Sequence, residues 1–144
     1  MGQAISEARL AADEGEVPVG ALVVSLSDGS IIASRHNERE TSGDPTAHAE
    51  ILAMRDACAL RGDWRLDNCA VIVTLEPCPM CAGAIWASRV PLIVFGAHDP
   101  KAGAVGTLYN FSTDPRLNHA SKVVAGIRAE ECSGLLSDFF AAKR

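Results

Sequence analysis

Two short segments of this chain carry side chains that could do chemistry together: His48-Ala49-Glu50 and Pro77-Cys78-Pro79-Met80-Cys81. One imidazole and two thiols are three zinc ligands, and three protein ligands leave the fourth tetrahedral position to water. The pKa of water held there falls from about 15.7 toward about 7, so it becomes a nucleophile at neutral pH. Residues two apart do not share a helix face, so Glu50 is better placed to move a proton beside the metal than to duplicate the ligation by His48. Cys78 and Cys81 are three apart and do share a face. At a helix N-terminus, the dipole and the free N–H groups favour their thiolates. Taken alone, a C-x-x-C is as readily a redox pair or two buried thiols as a zinc site, a single histidine is more often structural, and a glutamate in a first turn can serve the helix dipole and nothing more. The combination is what points to a hydrolytic zinc centre.

The elements that must bring these segments together can be read from periodicity and turn chemistry. Residues 4–15 predict a short amphipathic helix on Ile5, Ala8, Leu10, Ala11 and Ala12, closed near Gly15. Residues 17–26 and 31–36 predict a β-hairpin joined by Ser27-Asp28-Gly29-Ser30. Asp44 as N-cap and Pro45 at the first helical position predict a helix ended by Gly62, with His48 in its first turns. Residues 71–73 predict a third strand stopping at Glu76-Pro77, residues 78–87 a helix, and residues 92–97 a fourth strand. That order implies a parallel, right-handed crossover with both chemical segments at helix N-termini. Residues 99–122, rich in Gly, Asn and Asp with few apolar anchors, predict a functional loop or short helices. Residues 123–127 predict a fifth strand. Residues 129–144 predict a closing helix with Leu135, Leu136, Phe139 and Phe140 on its core face. The sum is an α/β chain, a three-layer α/β/α arrangement around a mixed sheet of about five strands.

Bulk properties fit this reading. A length of 144 residues with 48% hydrophobic and 22% charged side chains suits one domain spanning residues 1–144. No apolar run reaches membrane-spanning length, and a start carrying Arg9, Asp13, Glu14 and Glu16 lacks the apolar core of a secretory signal, so the expected location is the cytoplasm. Five cysteines, an odd number, fit a reduced compartment, with Cys58, Cys69 and Cys132 as small core residues. A net charge of −5 excludes indiscriminate nucleic-acid binding. A nucleic-acid partner would need local cations, and the candidates are Arg35, Arg39, Arg89, Lys101, Arg116, Lys122, Lys143 and Arg144. Trp64 and Trp86 read as packing or interface residues, while His36 and His119 could reach a substrate backbone or stay on the surface.

The two segments match the H-x-E…P-C-x-x-C signature known for zinc nucleobase deaminases. The match extends over nearly the whole chain, through Val17-Pro18-Val19-Gly20-Ala21, Asn37, residues 44–50, residues 74–84, Phe95-Gly96-Ala97 with Asp99, Asn118-His119 and Ser137-Asp138-Phe139-Phe140. In these stretches the chain resembles the bacterial tRNA-specific adenosine deaminases of the cytidine/deoxycytidylate deaminase superfamily. The resemblance implies a cytidine-deaminase-like domain and a homodimer that converts the wobble adenosine of an arginine tRNA anticodon to inosine. It further implies one zinc ion per chain on His48, Cys78 and Cys81, with Glu50 as proton shuttle. Asn37 and Asp99 would contact the flipped nucleotide, and Val19, Ala47 and Leu75 would line the base pocket. His98 departs from the family pattern, with an imidazole where an arginine would carry a permanent charge. Two other classes share the zinc residues: a deaminase of a free base or nucleoside such as guanine, cytosine or cytidine, and a zinc-binding subunit without catalysis.

Overall fold

The computed structural model describes residues 1–144. Its centre is a mixed sheet of order β2-β1-β3-β4-β5. Strand β1 (Gly20–Ser25) pairs antiparallel with β2 (Ile31–His36) on one side and with β3 (Cys69–Leu75) on the other. Strands β4 (Leu92–Ala97) and β5 (Lys122–Val124) then add in parallel. The helix α4 (Pro79–Ala87) is the crossover between the parallel neighbours β3 and β4, as the strand, helix, strand order requires.

Helices cover both faces. Along β1, Ala21 and Val23 join Ala49, Ala53 and Ala57 of α3 (Ala49–Arg61) in the main core, where Val71, Val73, Ile93 and Phe95 continue the same layer. The alanine stripe lets α3 lie close to the sheet. Phe95 is fully buried, and a side chain of that size contributes roughly 1.5–3 kcal/mol by leaving water. On the opposite face α1 (Gly2–Asp13) and α5 (Ala129–Ala142) pack against the sheet and against each other, around Ile5, Ala97 and Cys132. Gly20 makes the close approach of α1 possible, because a Cβ there would fall on the Ala4 carbonyl and the Ala8 amide.

Several expectations need correction. Asp44 does not cap a helix: its Oδ1 accepts from the Thr46 N–H at 2.8 Å and from the Thr46 hydroxyl at 2.7 Å, which closes a local turn instead. Helix α3 therefore starts at Ala49, and His48 is its N-cap, with extended backbone at φ −74°, ψ 149°. A four-residue helix, α2 (Arg39–Ser42), precedes that turn where no helix was expected. The fifth strand ends at Val124 because Gly126, at φ +80°, turns the chain away. The apolar side of α5 is only partly core: Cys132 is buried, but Phe140 is 46% exposed. Cys58, expected in the core, is half-buried and rests against the Trp64 carbonyl at 3.5 Å.

Residues 99–122 form neither helix nor long strand. They fold as an irregular loop with a single bridge between Val105 and Asn110, and the loop is anchored because Ala104 and Val105 enter the main core.

Candidate metal and active site

The site lies at the carboxyl ends of β3 and β4, the position where open α/β sheets bind ligands. Strand β3 stops at Leu75, and three residues later Cys78 caps α4 with Pro79 at its start, an arrangement that suits a residue with no N–H to donate. Cys81 sits in the first turn of α4, and the Ala82 N–H bonds the Cys78 carbonyl at 2.8 Å. Because His48 precedes α3 instead of lying within it, its ring is free to face the thiols. Nδ1 is 3.7 Å from Cys78 Sγ and 3.5 Å from Cys81 Sγ.

These distances test the fit to zinc. The three donor atoms lie within 4.8 Å of one another. Zinc bonds of about 2.3 Å to sulfur and about 2.0–2.1 Å to nitrogen at tetrahedral angles put S and N about 3.6 Å apart, which falls between the two observed separations. The charges agree. The hydrogen bond from the Cys81 thiol pulls Cys78 down to about 4 against the effect of burial, and His48 adds to the pull. Cys81 is pushed up because it holds the proton that it shares with Cys78 and because it is buried. His48 is raised, chiefly by the Cys78 sulfur beside it. The pair thus already carries one thiolate, and a divalent cation would displace the remaining proton.

Glu50 is buried at 4% exposure in the first turn of α3, and burial pushes its carboxyl up to about 7. A carboxyl that exchanges its proton near neutrality has the property a general acid–base group needs.

The centre opens into a pocket of about 160 Å³, small beside the roughly 300–1,000 Å³ of pockets for drug-sized ligands. Val19, Asn37, Leu75 and Asp99 all line it with His48, Glu50 and Cys78. Ala47 does not: it is buried behind the wall, its carbonyl accepting from the Glu38 N–H at 3.0 Å. Val17, Arg39, Glu76 and Ala102 line the pocket as well; Val17 and Glu76 stand in the matching stretches and Arg39 among the candidate cations, but no residue type or spacing places any of the four at the site.

Two buried carboxylates brace the walls. Glu16 accepts from the Thr41 N–H and hydroxyl, each at 2.6 Å, and from Asn37 Nδ2 at 3.3 Å, so it ties α2 to the asparagine that lines the pocket. Burial works against its charge, but the Thr41 bonds prevail and hold it below the ordinary carboxylate range. Glu76 does the same for the opposite wall. Its oxygens accept from the N–H groups of Asp99, Val105 and Thr107 and from the Thr107 hydroxyl. Glu76 falls within the stretch 74–84 and Glu16 stands just before Val17-Pro18-Val19-Gly20-Ala21, but nothing in their spacing gives the direction of a side chain.

Beyond the pocket a larger groove of about 630 Å³ shares Val17, Leu75 and Asp99 with it and continues to Lys101, Phe140 and Arg144. Several candidate cations are engaged elsewhere: Arg35 with Glu38 and Asp56, Arg116 with Asp114, and Arg89 with the carbonyls of Trp86 and Ala87. His36 is held between Glu7 of α1 and Glu14 just after its end, and His119 bonds the Val90 carbonyl at 2.8 Å. His98 stands beside Thr107 at 3.3 Å and edge-on to Phe95.

Comparison with known proteins agrees with this geometry. A family model for the cytidine and deoxycytidylate deaminase zinc-binding region matches residues 1–97. The tRNA-specific adenosine deaminase of Bacillus subtilis (strain 168) is 53% identical over 140 residues, covering 97% of this chain and 86% of that protein. A solved structure from a study of A-to-I editing by tRNA:A34 deaminases at the wobble position of transfer RNA superposes with a TM-score of 0.90 at 43% identity, covering 94% and 97% of the two chains. The guanine deaminase of Nitrosomonas europaea superposes at 0.85 with 25% identity, covering 97% and 82%.

Proposed function

Because the chain belongs to the cytidine and deoxycytidylate deaminase zinc-binding family, we propose that it is a zinc-dependent hydrolase converting the wobble adenosine of a tRNA anticodon to inosine. The observation that carries the reading is the continuity of two spaces. A pocket of about 160 Å³ beside the metal ligands takes one base, and the adjoining groove of about 630 Å³ has room for the nucleotides on either side. A free base would need no such groove. A flipped base on a single-stranded anticodon loop would use it.

His48, Cys78 and Cys81 hold one zinc ion per chain, which supplies a water that is acidic near neutral pH. Glu50 takes a proton from the attacking water on its carboxylate and delivers it to a ring nitrogen of the base, then takes the remaining proton of the added hydroxyl and gives it to the amine as the C–N bond breaks and the carbonyl forms. Burial of Glu50 suits it to both directions of transfer, since its carboxyl exchanges at about 7. Asn37, fixed by Glu16 and the Val17 carbonyl, and Asp99, whose Oδ1 is fixed by the Lys101 N–H at 2.9 Å, orient the nucleotide. Val19 and Leu75 bound the base, and Ala47 backs the wall. Lys101 and Arg144 meet flanking phosphates from the groove.

The whole of residues 1–144 forms the one domain, the tRNA is the arginine isoacceptor, and the working unit is a homodimer. An open apolar groove between α3 and α4, lined by Ile51, Met54, Cys58, Trp64, Ala84 and Ala87, supports pairing through that face. The cytoplasm is where such a substrate is met, and no helix is long and apolar enough to cross a membrane. The test uses anticodon stem-loops of arginine tRNA with adenosine at the wobble position or moved to a neighbouring one. Inosine found only in the first supports the reading, while equal conversion of both would refute wobble specificity.

A further inference from the structure

Glu50 has a proton to move, but the second carboxylate at the pocket has no such task. Glu76 has a fully buried side chain and no lysine or arginine beside it; the nearest cationic candidate is His98 Nδ1 at 3.4 Å. Its two oxygens are nonetheless fully used. Oε2 accepts from the Asp99 N–H at 3.0 Å and from the Thr107 hydroxyl, and Oε1 accepts from the N–H groups of Val105 at 3.1 Å and Thr107 at 3.0 Å. All four donors lie in residues 99–107, the loop that begins with Asp99. Glu76 itself stands two residues before Cys78, and the Ala104 N–H fastens the loop to this segment again through the Pro77 carbonyl at 2.9 Å. Gly103 marks how tightly the loop closes, because a Cβ there would fall on the Glu76 carboxylate and the Asp99 carbonyl.

We infer that Glu76 is a positioning residue for the reaction: by holding the Asp99 amide, it sets the substrate-side loop in register with the turn that carries the two thiols. Such a hub needs two acceptor atoms facing N–H groups that cannot rotate away, which a carboxylate supplies and an amide does not. The inference rests on the reading of Asp99 as a nucleotide contact.

Glu76→Gln isolates the effect by its own stereochemistry. Its NH₂ cannot face the Val105 and Thr107 N–H groups, so it must take the place of Oε2, where the Thr107 hydroxyl can turn to accept. The Asp99 N–H is then the one donor left without a partner. Steady-state deamination of the arginine anticodon stem-loop is measured for the wild-type protein, Glu76→Gln, Asp99→Ala and the double variant, with zinc content and thermal unfolding for each. Glu76→Gln is expected to keep one zinc per chain and to raise KM by roughly tenfold with kcat changed less than about threefold, the scale of one buried hydrogen bond removed. The double variant is expected to be no worse than Asp99→Ala alone, since both changes act on one interaction. An unchanged KM, a loss confined to kcat, or additive effects in the double variant would overturn the inference. If Asp99→Ala has the wild-type KM, the nucleotide contact itself is wrong and the inference falls with it. A raised KM in Asp99→Ala beside an additive Glu76→Gln sinks the inference alone. Should Glu76→Gln fail to fold, Glu76→Asp, which keeps the charge but withdraws it by one methylene, carries the same cycle with the same deciding outcomes.

Discussion

At the scale of single residues, the proposed centre divides into groups that would hold zinc, His48, Cys78 and Cys81, and one that would move protons, Glu50. Substituting Glu50 therefore separates the two duties. Glu50→Gln is expected to bind zinc at the wild-type stoichiometry, read by atomic absorption, and to lose roughly 10²–10⁴-fold in the rate of inosine formation, the usual contribution of a general acid–base group. Loss of zinc in that variant would mean that the carboxylate helps to ligate the metal. The residue types and spacings of His48, Glu50, Cys78 and Cys81 are enough to point to this cluster, because metal chemistry tolerates few donor sets. The supporting carboxylates Glu16 and Glu76 are not legible in the same way. Their roles depend on which loop folds over which side chain, and a glutamate beside a proline or glycine reads the same whether it is buried or solvated.

At the scale of elements, strands and helices with strong periodicity stand nearly where their patterns predict. The errors fall where local side-chain bonds compete with helix formation. Asp44-Pro45-Thr46 carries every sign of a helix start, yet Asp44 commits its carboxylate to Thr46, so the helix waits until Ala49. That delay has a use, since it leaves His48 at the cap with its ring toward the thiols. The fit of α1 is equally specific. Gly20→Ala would press a methyl into the α1 backbone, and we expect denaturant unfolding to report a loss of about 1–3 kcal/mol. A wild-type midpoint would show that α1 moves aside freely. His36 fastens α1 to β2 by pairing with Glu7 at 2.9 Å and Glu14 at 3.2 Å. Burial opposes its charge, but the two carboxylates outweigh burial and raise its pKa. With the folded value above the unfolded value of about 6.5, the contribution is complete below a pH of about 6.5 and fades as pH rises through the folded pKa. The difference in unfolding free energy between wild type and His36→Gln should therefore be constant below a pH of about 6.5 and shrink as pH rises above it. A difference equally constant above it would show that the pairing carries no charge.

At the scale of the whole molecule, a chain of net charge −5 that acts on tRNA must rely on few cations in the right place. The fold reduces the eight sequence candidates by pairing Arg35 and Arg116 with carboxylates, and it leaves Lys101 and Arg144 along the groove. Replacing either with glutamine should weaken stem-loop binding and flatten its dependence of log K on log salt by about 0.7–0.9 per phosphate no longer neutralised. An unchanged slope would place the RNA elsewhere. Composition could not reveal this pattern, because it depends on how α5 comes to lie beside the loop that follows β4.

The central claim is that the hydrolytic centre serves a base presented on tRNA. The most direct measurement is ammonia release per zinc from a transcribed arginine tRNA with adenosine at the wobble position, set beside adenine, guanine, cytosine and cytidine at equal concentration. We expect ammonia from the tRNA alone, matched one for one by inosine at the wobble position; rapid turnover of a free base or nucleoside with no inosine in the tRNA would contradict that claim.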